Sequence, residues 1–230
     1  MHRTPHVDAN YEAELQAIML HLVKTGTRAE GMVRDAVRAL LERDAHLARS
    51  VVATDMELDR LEVESDELCM RLLARRTPVG GDLRLVTCAL KVVIDMERIG
   101  DLAVNIAKRA LDLMGEPGLE PTPEVEQLAA GALNHCSRAV RALQNRDATA
   151  ARAIKAEDSS LDELNRAVFT RMIAFAKDHH DQLERALAYT SISRYLERVA
   201  DHAVNIAEMV VFLVEGKVLR HQAPEGLEPQ

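Results

Sequence analysis

The sequence predicts an all-α fold made of two tandem three-helix bundles related by an internal duplication. Apolar residues recur at helical spacing along most of the chain. Aromatic residues make up only 3% and Trp is absent, so the core must be mainly aliphatic. One segment of the chain occurs twice. Together these features are typical of long packed helices and fit a β-sandwich poorly.

The helix that follows Gly81 shows the periodicity most clearly. Its apolar positions alternate steps of three and four residues, as the seam of a helical bundle does: Leu85, Ala89, Val92, Met96, Ile99, Ala103, Ile106, Ala110 and Leu113. A similar seam near the other end of the chain runs through Tyr189, Ile192, Leu196, Val199, Ala203 and Ile206. Over the whole chain the pattern predicts helices near residues 11–42, 44–76, 81–114, 123–145, 147–176 and 179–215.

Glycine and proline mark the boundaries. The strongest break runs from Gly115 to Pro123. Thr122 and Pro123 close it as an N-cap and a proline at the first helical position. We therefore expect a flexible N-terminus, a first bundle, a linker, a second bundle and a C-terminal tail, at residues 1–10, 11–115, 116–122, 123–216 and 217–230.

The two halves share a repeated segment. Residues 97–107 read Glu-Arg-Ile-Gly-Asp-Leu-Ala-Val-Asn-Ile-Ala, and residues 197–207 match them at eight of eleven positions, at an offset of 197 − 97 = 100. A weaker match at an offset of 103 relates Asp55, Leu58, Asp59 and Leu61 to Asp158, Leu161, Asp162 and Leu164. An internal duplication is the simplest interpretation.

Composition excludes several classes of protein. A net charge of −8 argues against binding to nucleic acid or anionic lipid. No apolar run is long enough to cross a membrane, and the N-terminus has no signal-peptide core, so we expect a cytoplasmic protein without membrane insertion. The three cysteines lie far apart and are expected to be buried free thiols.

The repeated segment places an acidic strip on each of two helices. Its three members lie at i, i+4 and i+8, so they share one helix face over roughly 12 Å. The first strip is Glu97, Asp101 and Asn105, and the second is Glu197, Asp201 and Asn205. Arg98 and Arg198 are adjacent in sequence and are candidate counter-charges.

The neighbouring helix of each bundle adds a second acidic edge. The first copy supplies Asp55, Asp59, Glu62 and Asp66, and the second supplies Asp158, Asp162 and Asn165. Two such edges facing each other would form a site of oxygen ligands, which Mg²⁺, Mn²⁺, Ca²⁺ or oxidised iron prefers and zinc does not. The alternative is a solvated face that binds nothing.

Catalytic motifs are missing from the sequence. It contains no Gly-x-Ser-x-Gly elbow, no phosphate-binding glycine-rich loop and no Glu-x-x-His pair of the di-iron enzymes. An enzyme is therefore not expected. Two alternatives stay open: a metal-dependent hydrolase that uses the carboxylates, and a plain helical scaffold.

The chain resembles the PhoU family of phosphate-transport regulators over roughly residues 8–216. The most specific segments are Leu-Glu-Arg-Val-Ala-Asp-His-Ala-Val-Asn-Ile-Ala-Glu at 196–208 and Met-Glu-Arg-Ile-Gly-Asp at 96–101, together with the turn at 76–84. The resemblance implies two similar three-helix bundles. It also implies a metal motif, E(D)xxxDxxxD, on the two strips, with Asn105 and Asn205 where a third carboxylate is allowed. An amide brings no charge, which favours Mg²⁺ or Mn²⁺ over a highly charged iron cluster.

The resemblance further implies a role in signalling. Such proteins are negative regulators that link a Pst-type phosphate ABC transporter, through its ATPase, to a PhoR-type sensor histidine kinase. We accordingly expect an adaptor, active as a homodimer, whose helical faces dock on cytoplasmic domains of membrane partners.

Overall fold

A computed structural model describes residues 9–115 and 121–219. These residues form seven α-helices and no strand; the helices are α1 (Ala9–Glu42), α2 (Ala45–Arg75), α3 (Gly81–Met114), α4 (Pro123–Asn145), α5 (Ala148–Glu157), α6 (Ser159–Asp178) and α7 (Leu183–Glu215). A short 3₁₀ turn, His180–Gln182, precedes α7. The predicted all-α class is confirmed.

The first half is a bundle of α1, α2 and α3, which pack pairwise on one another. In the second half α4, α5 and α6 all pack on α7. The two halves join through α3 and α7, and α1 also packs on α4. One continuous apolar core runs through both halves, so α3 and α7 are covered on more than one side.

The predicted seam of α3 is buried throughout, from Leu85 to Leu113. The opposite side of the same helix is largely buried too, because Val86, Val93 and Val104 pack inside the molecule. The acidic strips therefore lie beside packed surfaces rather than on an open solvated face.

The duplication is visible in the backbone at the start of α2 and α5. Asp44 and Asp147, at an offset of 147 − 44 = 103, cap these helices by accepting hydrogen bonds from two backbone N–H groups each. The residue before each cap, Arg43 or Arg146, is in the left-handed conformation, with φ of 55° and 53°. Equivalent turns thus survive in both copies.

One predicted helix, 147–176, is wrong as a single element. The chain turns at Asp158, between α5 and α6, where the Leu161 N–H donates to the Asp158 carbonyl at 3.0 Å. The Ser160 hydroxyl donates to the Glu157 carbonyl at 2.8 Å. Serine favours such local bonds over helix continuation. At the positions equivalent to Ser159 and Ser160, α2 has Met56 and Glu57, and it continues.

Two other boundaries differ slightly from expectation. Helix α1 begins at Ala9, inside the segment expected to be flexible, and residues 1–8 of that segment lie outside the described residues. The predicted helix from residue 179 begins instead with the 3₁₀ turn and becomes α-helical at Leu183. Of the predicted linker and tail, 116–120 and 220–230 lie outside the described residues.

The three cysteines, Cys69, Cys88 and Cys136, are free and buried, as predicted. Burial raises the pKa of each thiol, to about 11 for Cys69 and to about 12 for the other two. Within residues 9–115 and 121–219, no helix combines the length and apolarity needed to cross a membrane.

Candidate metal centres

Two acidic clusters lie where a strip-bearing helix meets a neighbouring helix of its own half. The first cluster lies between α2 and α3, and the second lies between α7 and the junction of α5 with α6. Each pairs one copy of the repeated segment with one copy of the weaker repeat. The duplication therefore places the two predicted edges together twice.

In the second cluster three carboxylates converge. Asp162 in the first turn of α6 and Glu197 and Asp201 on α7 each offer an oxygen, and these oxygens lie within 4.8 Å of one another. Asp162 and Glu197 are partly buried, whereas Asp201 is exposed. Three hard oxygen donors, approached from two helices, are a donor set suited to Mg²⁺, Mn²⁺ or Ca²⁺.

Electrostatic coupling places Asp158 in the same cluster. Desolvation of its carboxyl group raises the pKa of Asp201, although the residue as a whole is exposed, and repulsion from Asp158 and Asp162 raises it further. The pKa of Glu197 is raised by burial, then by Asp201 and Asp162. The pKa of Asp158 is raised by burial and then by Asp162. These carboxylates are close enough that each disfavours ionisation of the others. A bound cation would relieve this repulsion.

In the first cluster the strip carboxylates already contact a cation. The Arg98 guanidinium lies 3.4 Å from Glu97 Oε2 and 3.2 Å from Asp101 Oδ2. Even so, burial raises the pKa of Glu97 to about 7, with Asp101 as the next cause. Only 18% of the Glu97 side chain is exposed, so desolvation outweighs the nearby guanidinium.

The facing edge of the first cluster comes from α2. Burial raises the pKa of Asp55, and Asp59 and then Asp101 raise it further. The pKa of Glu62 is raised by burial, by Asp66 and by Asp59. The two predicted edges are thus electrostatically coupled here as well, although the described residues show no close trio of carboxylate oxygens at this cluster.

The two strip asparagines are in different surroundings. The Asn205 side-chain amide donates to Asp95 Oδ1 at 3.1 Å, across the packing between α7 and α3. Asn105 is partly buried on α3. On the second acidic edge, Asn165 Oδ1 accepts a hydrogen bond from the Ser193 hydroxyl at 2.9 Å. Asn205 and Asn165 thus serve packing contacts in this structure, while Asp158, Asp162, Glu197 and Asp201 form the cluster.

Sequence reasoning missed Asp95. Its carboxylate also accepts from His202 Nδ1 at 2.8 Å, and it is one of the few charged residues that are buried. A buried carboxylate needs such partners, because an unpaired one would be strongly destabilising. The signal in the sequence is a lone Asp between apolar residues, in Val-Val-Ile-Asp-Met at 92–96. Its hydrogen-bond partners could not be predicted, because they lie 107 and 110 residues further along the chain.

Comparisons with known proteins agree with this architecture. The family model described as "PhoU domain" matches residues 22–110 and 125–210, one match in each half. A curated relative from Pseudomonas putida, named "Phosphate-specific transport system accessory protein PhoU homolog", is 37% identical over 220 residues, covering 95% of this chain and 86% of the relative.

Two solved structures share the fold. PhoU from Pseudomonas aeruginosa superposes with a TM-score of 0.86 at 36% identity, covering 90% of this chain and 100% of that one. The phosphate transport system regulatory protein PhoU from Streptococcus pneumoniae gives a TM-score of 0.83 at 26% identity, covering 91% and 99%. Since both halves match the family model and the relatives align over nearly the full chain, this protein belongs to the PhoU family, with two PhoU domains in tandem.

Proposed function

We propose that this protein is a cytoplasmic, metal-binding adaptor that regulates phosphate uptake and phosphate-starvation signalling. It couples the ATPase of a phosphate ABC transporter to a PhoR-type sensor histidine kinase. The observation that carries the proposal is the pair of PhoU domain matches, together with relatives that are named accessory or regulatory proteins of the phosphate transport system.

An adaptor acts by binding one signalling state of its partner more tightly than another. Only that difference in affinity shifts the partner's equilibrium. This protein offers long helical faces on a continuous core, which suits docking onto helices of membrane-associated partners. As an adaptor this protein carries out no catalytic step, in keeping with the name of its relative, an accessory protein.

Metal binding is part of the proposal. The residues concerned are Glu97, Asp101 and Asn105 with Asp55 and Asp59 in the first half, and Glu197, Asp201 and Asn205 with Asp158 and Asp162 in the second. The close trio at Asp162, Glu197 and Asp201 supports a Mg²⁺ or Mn²⁺ ion at the second cluster in particular. A bound cation would offset the repulsion that raises these pKa values, and would hold α6 against α7.

Deletion of the gene tests the adaptor role. In phosphate-rich medium, the deletion strain should express a phosphate-starvation reporter that the parent strain keeps off, because the kinase loses the contact that favours its signal-off state. Re-expression of the intact protein should silence the reporter again. A reporter that stays off in the deletion strain would contradict the proposal.

A phosphatase assay with added Mn²⁺ distinguishes the hydrolase alternative. The adaptor proposal expects no turnover above that of a variant carrying Glu197→Gln and Asp201→Asn. Metal-dependent turnover that this variant loses would instead favour a hydrolase. A protein that binds no Mg²⁺ or Mn²⁺, and whose deletion leaves the reporter unchanged, would be a plain scaffold.

A further inference from the structure

A wide cleft lies between the C-terminal end of α3, the 3₁₀ turn and the N-terminal end of α7. We call it the α3–α7 cleft. Its volume is about 720 Å³, which is within the range of small-molecule sites. Two arginines and three carboxylates are among the residues that line it: Arg109, Arg185, Asp112, Asp181 and Glu184. No residue of the two acidic clusters lines this cleft.

The duplication relates the α3–α7 cleft to a second place, at the other ends of the same two helices. At the offset of 100, Arg109 corresponds to Met209 and Asp112 corresponds to Phe212. Met209 and Phe212 line a cavity of only about 60 Å³, together with Leu219 from the chain that follows α7. The equivalent place is thus narrow and mainly apolar. The width and the charges of the α3–α7 cleft are therefore not a by-product of the duplication.

Arg185 differs most from its duplicate. It lies in the first turn of α7 and is only 9% exposed. Its equivalent at the offset of 100 is Leu85, a seam residue of α3 that is 2% exposed. Because a leucine satisfies helix packing at this position in one copy, packing does not require an arginine in the other. A buried guanidinium that lines a cleft is suited to holding a carboxylate or phosphate group, and the N-terminus of α7 adds favourable potential for an anion.

The other charges limit which anion fits the cleft. Arg109 forms an ion pair with Asp112 at 3.0 Å. The remaining carboxylates, Asp181 and Glu184, are both exposed. Two positive and three negative side chains give the lining a formal net charge of 2 − 3 = −1. A multiply charged anion would be repelled by this lining, whereas a molecule with one acid group and one amino group would be attracted at both ends.

We propose that the α3–α7 cleft binds a small zwitterionic molecule. Its carboxylate or phosphate group contacts Arg185, and its amino group contacts Asp181 or Glu184. Leu113 and Ala188, which also line the cleft, contact the carbon chain between the two groups. The inference uses neither the adaptor role nor the metal clusters, so its failure would leave both of those proposals standing.

Isothermal titration calorimetry of the full-length protein with matched ligands tests the proposal. L-Lysine and O-phosphoethanolamine each carry an acid group and an amino group. Cadaverine is lysine without its carboxylate, and inorganic phosphate lacks the amino group. At least one zwitterion should bind at least about tenfold more tightly than its control, because the control loses a charge-assisted contact. The zwitterion that binds identifies the acid group as carboxylate or phosphate. Failure of both zwitterions to bind more tightly than their controls would overturn the proposal.

The variant Arg185→Leu installs the residue that the other copy uses. It should weaken binding of the zwitterion at least about tenfold. The thermal midpoint of the ligand-free protein should stay the same or rise, because an apolar side chain replaces a buried charge. A midpoint that falls in the ligand-free variant would assign Arg185 to the packing of α7 and would overturn its role in binding.

A second variant, D181N/E184Q, changes exposed positions only, so its fold does not depend on the replacement of a buried residue. It should also weaken binding of the zwitterion at least about tenfold, because it removes the partners of the amino group. Arg60→Leu, at an exposed position of α2 that does not line the cleft, should leave the affinity unchanged. If either cleft variant keeps the wild-type affinity, the zwitterion binds elsewhere and the proposal is wrong.

Discussion

The two acidic clusters occupy equivalent places in the duplicated chain, but their surroundings differ. In the first, Arg98 contacts both Glu97 and Asp101. In the second, the carboxylates of Asp162, Glu197 and Asp201 converge, and Arg198 forms no ion pair within the described residues. An identical Glu-Arg-x-x-Asp segment thus gives a strip whose carboxylates pair with arginine in one half, and a strip without an arginine ion pair in the other.

The helix that faces each strip differs as well. In the first half α2 runs unbroken past Asp55 and Asp59, whereas in the second the chain turns at Asp158 and restarts before Asp162. The turn places Asp162 in the first turn of α6, where the helix N-terminus favours a negative charge. The difference shows that a repeated motif specifies which side chains are present, while the neighbouring helix decides how they converge.

The largest expected effect concerns the core that the two halves share. Ile99→Asp and Val199→Asp each bury an unpaired carboxylate at positions that are 3% and 0% exposed. Each should lower the free energy of unfolding by several kcal/mol, about 3 or more. Because the core is continuous, we expect one cooperative loss of structure in calorimetry rather than the loss of one half. Ile94→Asp, at a 49% exposed position of α3, is the control.

The second prediction separates the two clusters by metal affinity. The variant E197Q/D201N should lose Mn²⁺ affinity at least about tenfold in isothermal titration calorimetry, because it removes two charges from the converging trio. The matched variant E97Q/D101N should lose less, since Arg98 already contacts both of these carboxylates. Asp112→Asn, at an exposed position of α3, should change nothing. Equal losses of Mn²⁺ affinity in the two variants, or a larger loss in E97Q/D101N, would contradict the expected difference between the clusters.

A third prediction concerns the contact that only one half supplies. Asp95 accepts hydrogen bonds from His202 and Asn205, and the position equivalent to Asp95 in the second half is Tyr195. Asp95→Ala should destabilise the protein by about 1–3 kcal/mol, because it leaves buried polar groups without their acceptor. Thermal unfolding measures the loss, with Tyr195→Phe as the comparison. An unchanged midpoint would show that this contact does not stabilise the packing of α3 on α7.

The smallest expected effect is the pH dependence of the first cluster. In metal-free protein the pKa of Glu97 is raised from 4.5 to about 7, so the folded state binds the proton more tightly than the unfolded state does. The contribution of Glu97 protonation to the free energy of unfolding is fully present below about pH 4.5, and it is lost as the pH rises through about 7. After allowance for solvent screening, Glu97→Gln should stabilise the protein at pH 8 by about 1 kcal/mol.

Urea unfolding at pH 5 and pH 8, in the presence of a chelator, measures this effect. The stability of E97Q should change less between the two pH values than that of the wild type. Glu126→Gln, at an exposed position of α4, should keep the wild-type difference. If E97Q keeps it too, the raised pKa of Glu97 does not contribute to stability.

Most of the fold could be predicted because its signals are local. Helix bounds follow from apolar periodicity and from Gly and Pro breaks, so α3 and α4 begin and end where the sequence places them. The break at Asp158 was missed because periodicity continues across it, and a short Asp-Ser-Ser segment changes only the local hydrogen bonds. The seam residues were found because burial of one helix face repeats at a fixed interval.

The sequence by itself determined the helical class, the duplication and the types of side chain in each acidic cluster. Tertiary structure decided which of those side chains meet. Arg98 contacts its neighbours while Arg198 does not, and Asp95 finds partners 107 and 110 residues away. Such contacts depend on the distance between packed helices and on the rotamers that their packing allows. Spacing along the chain fixes neither of these, because it specifies only which residues share a helix face.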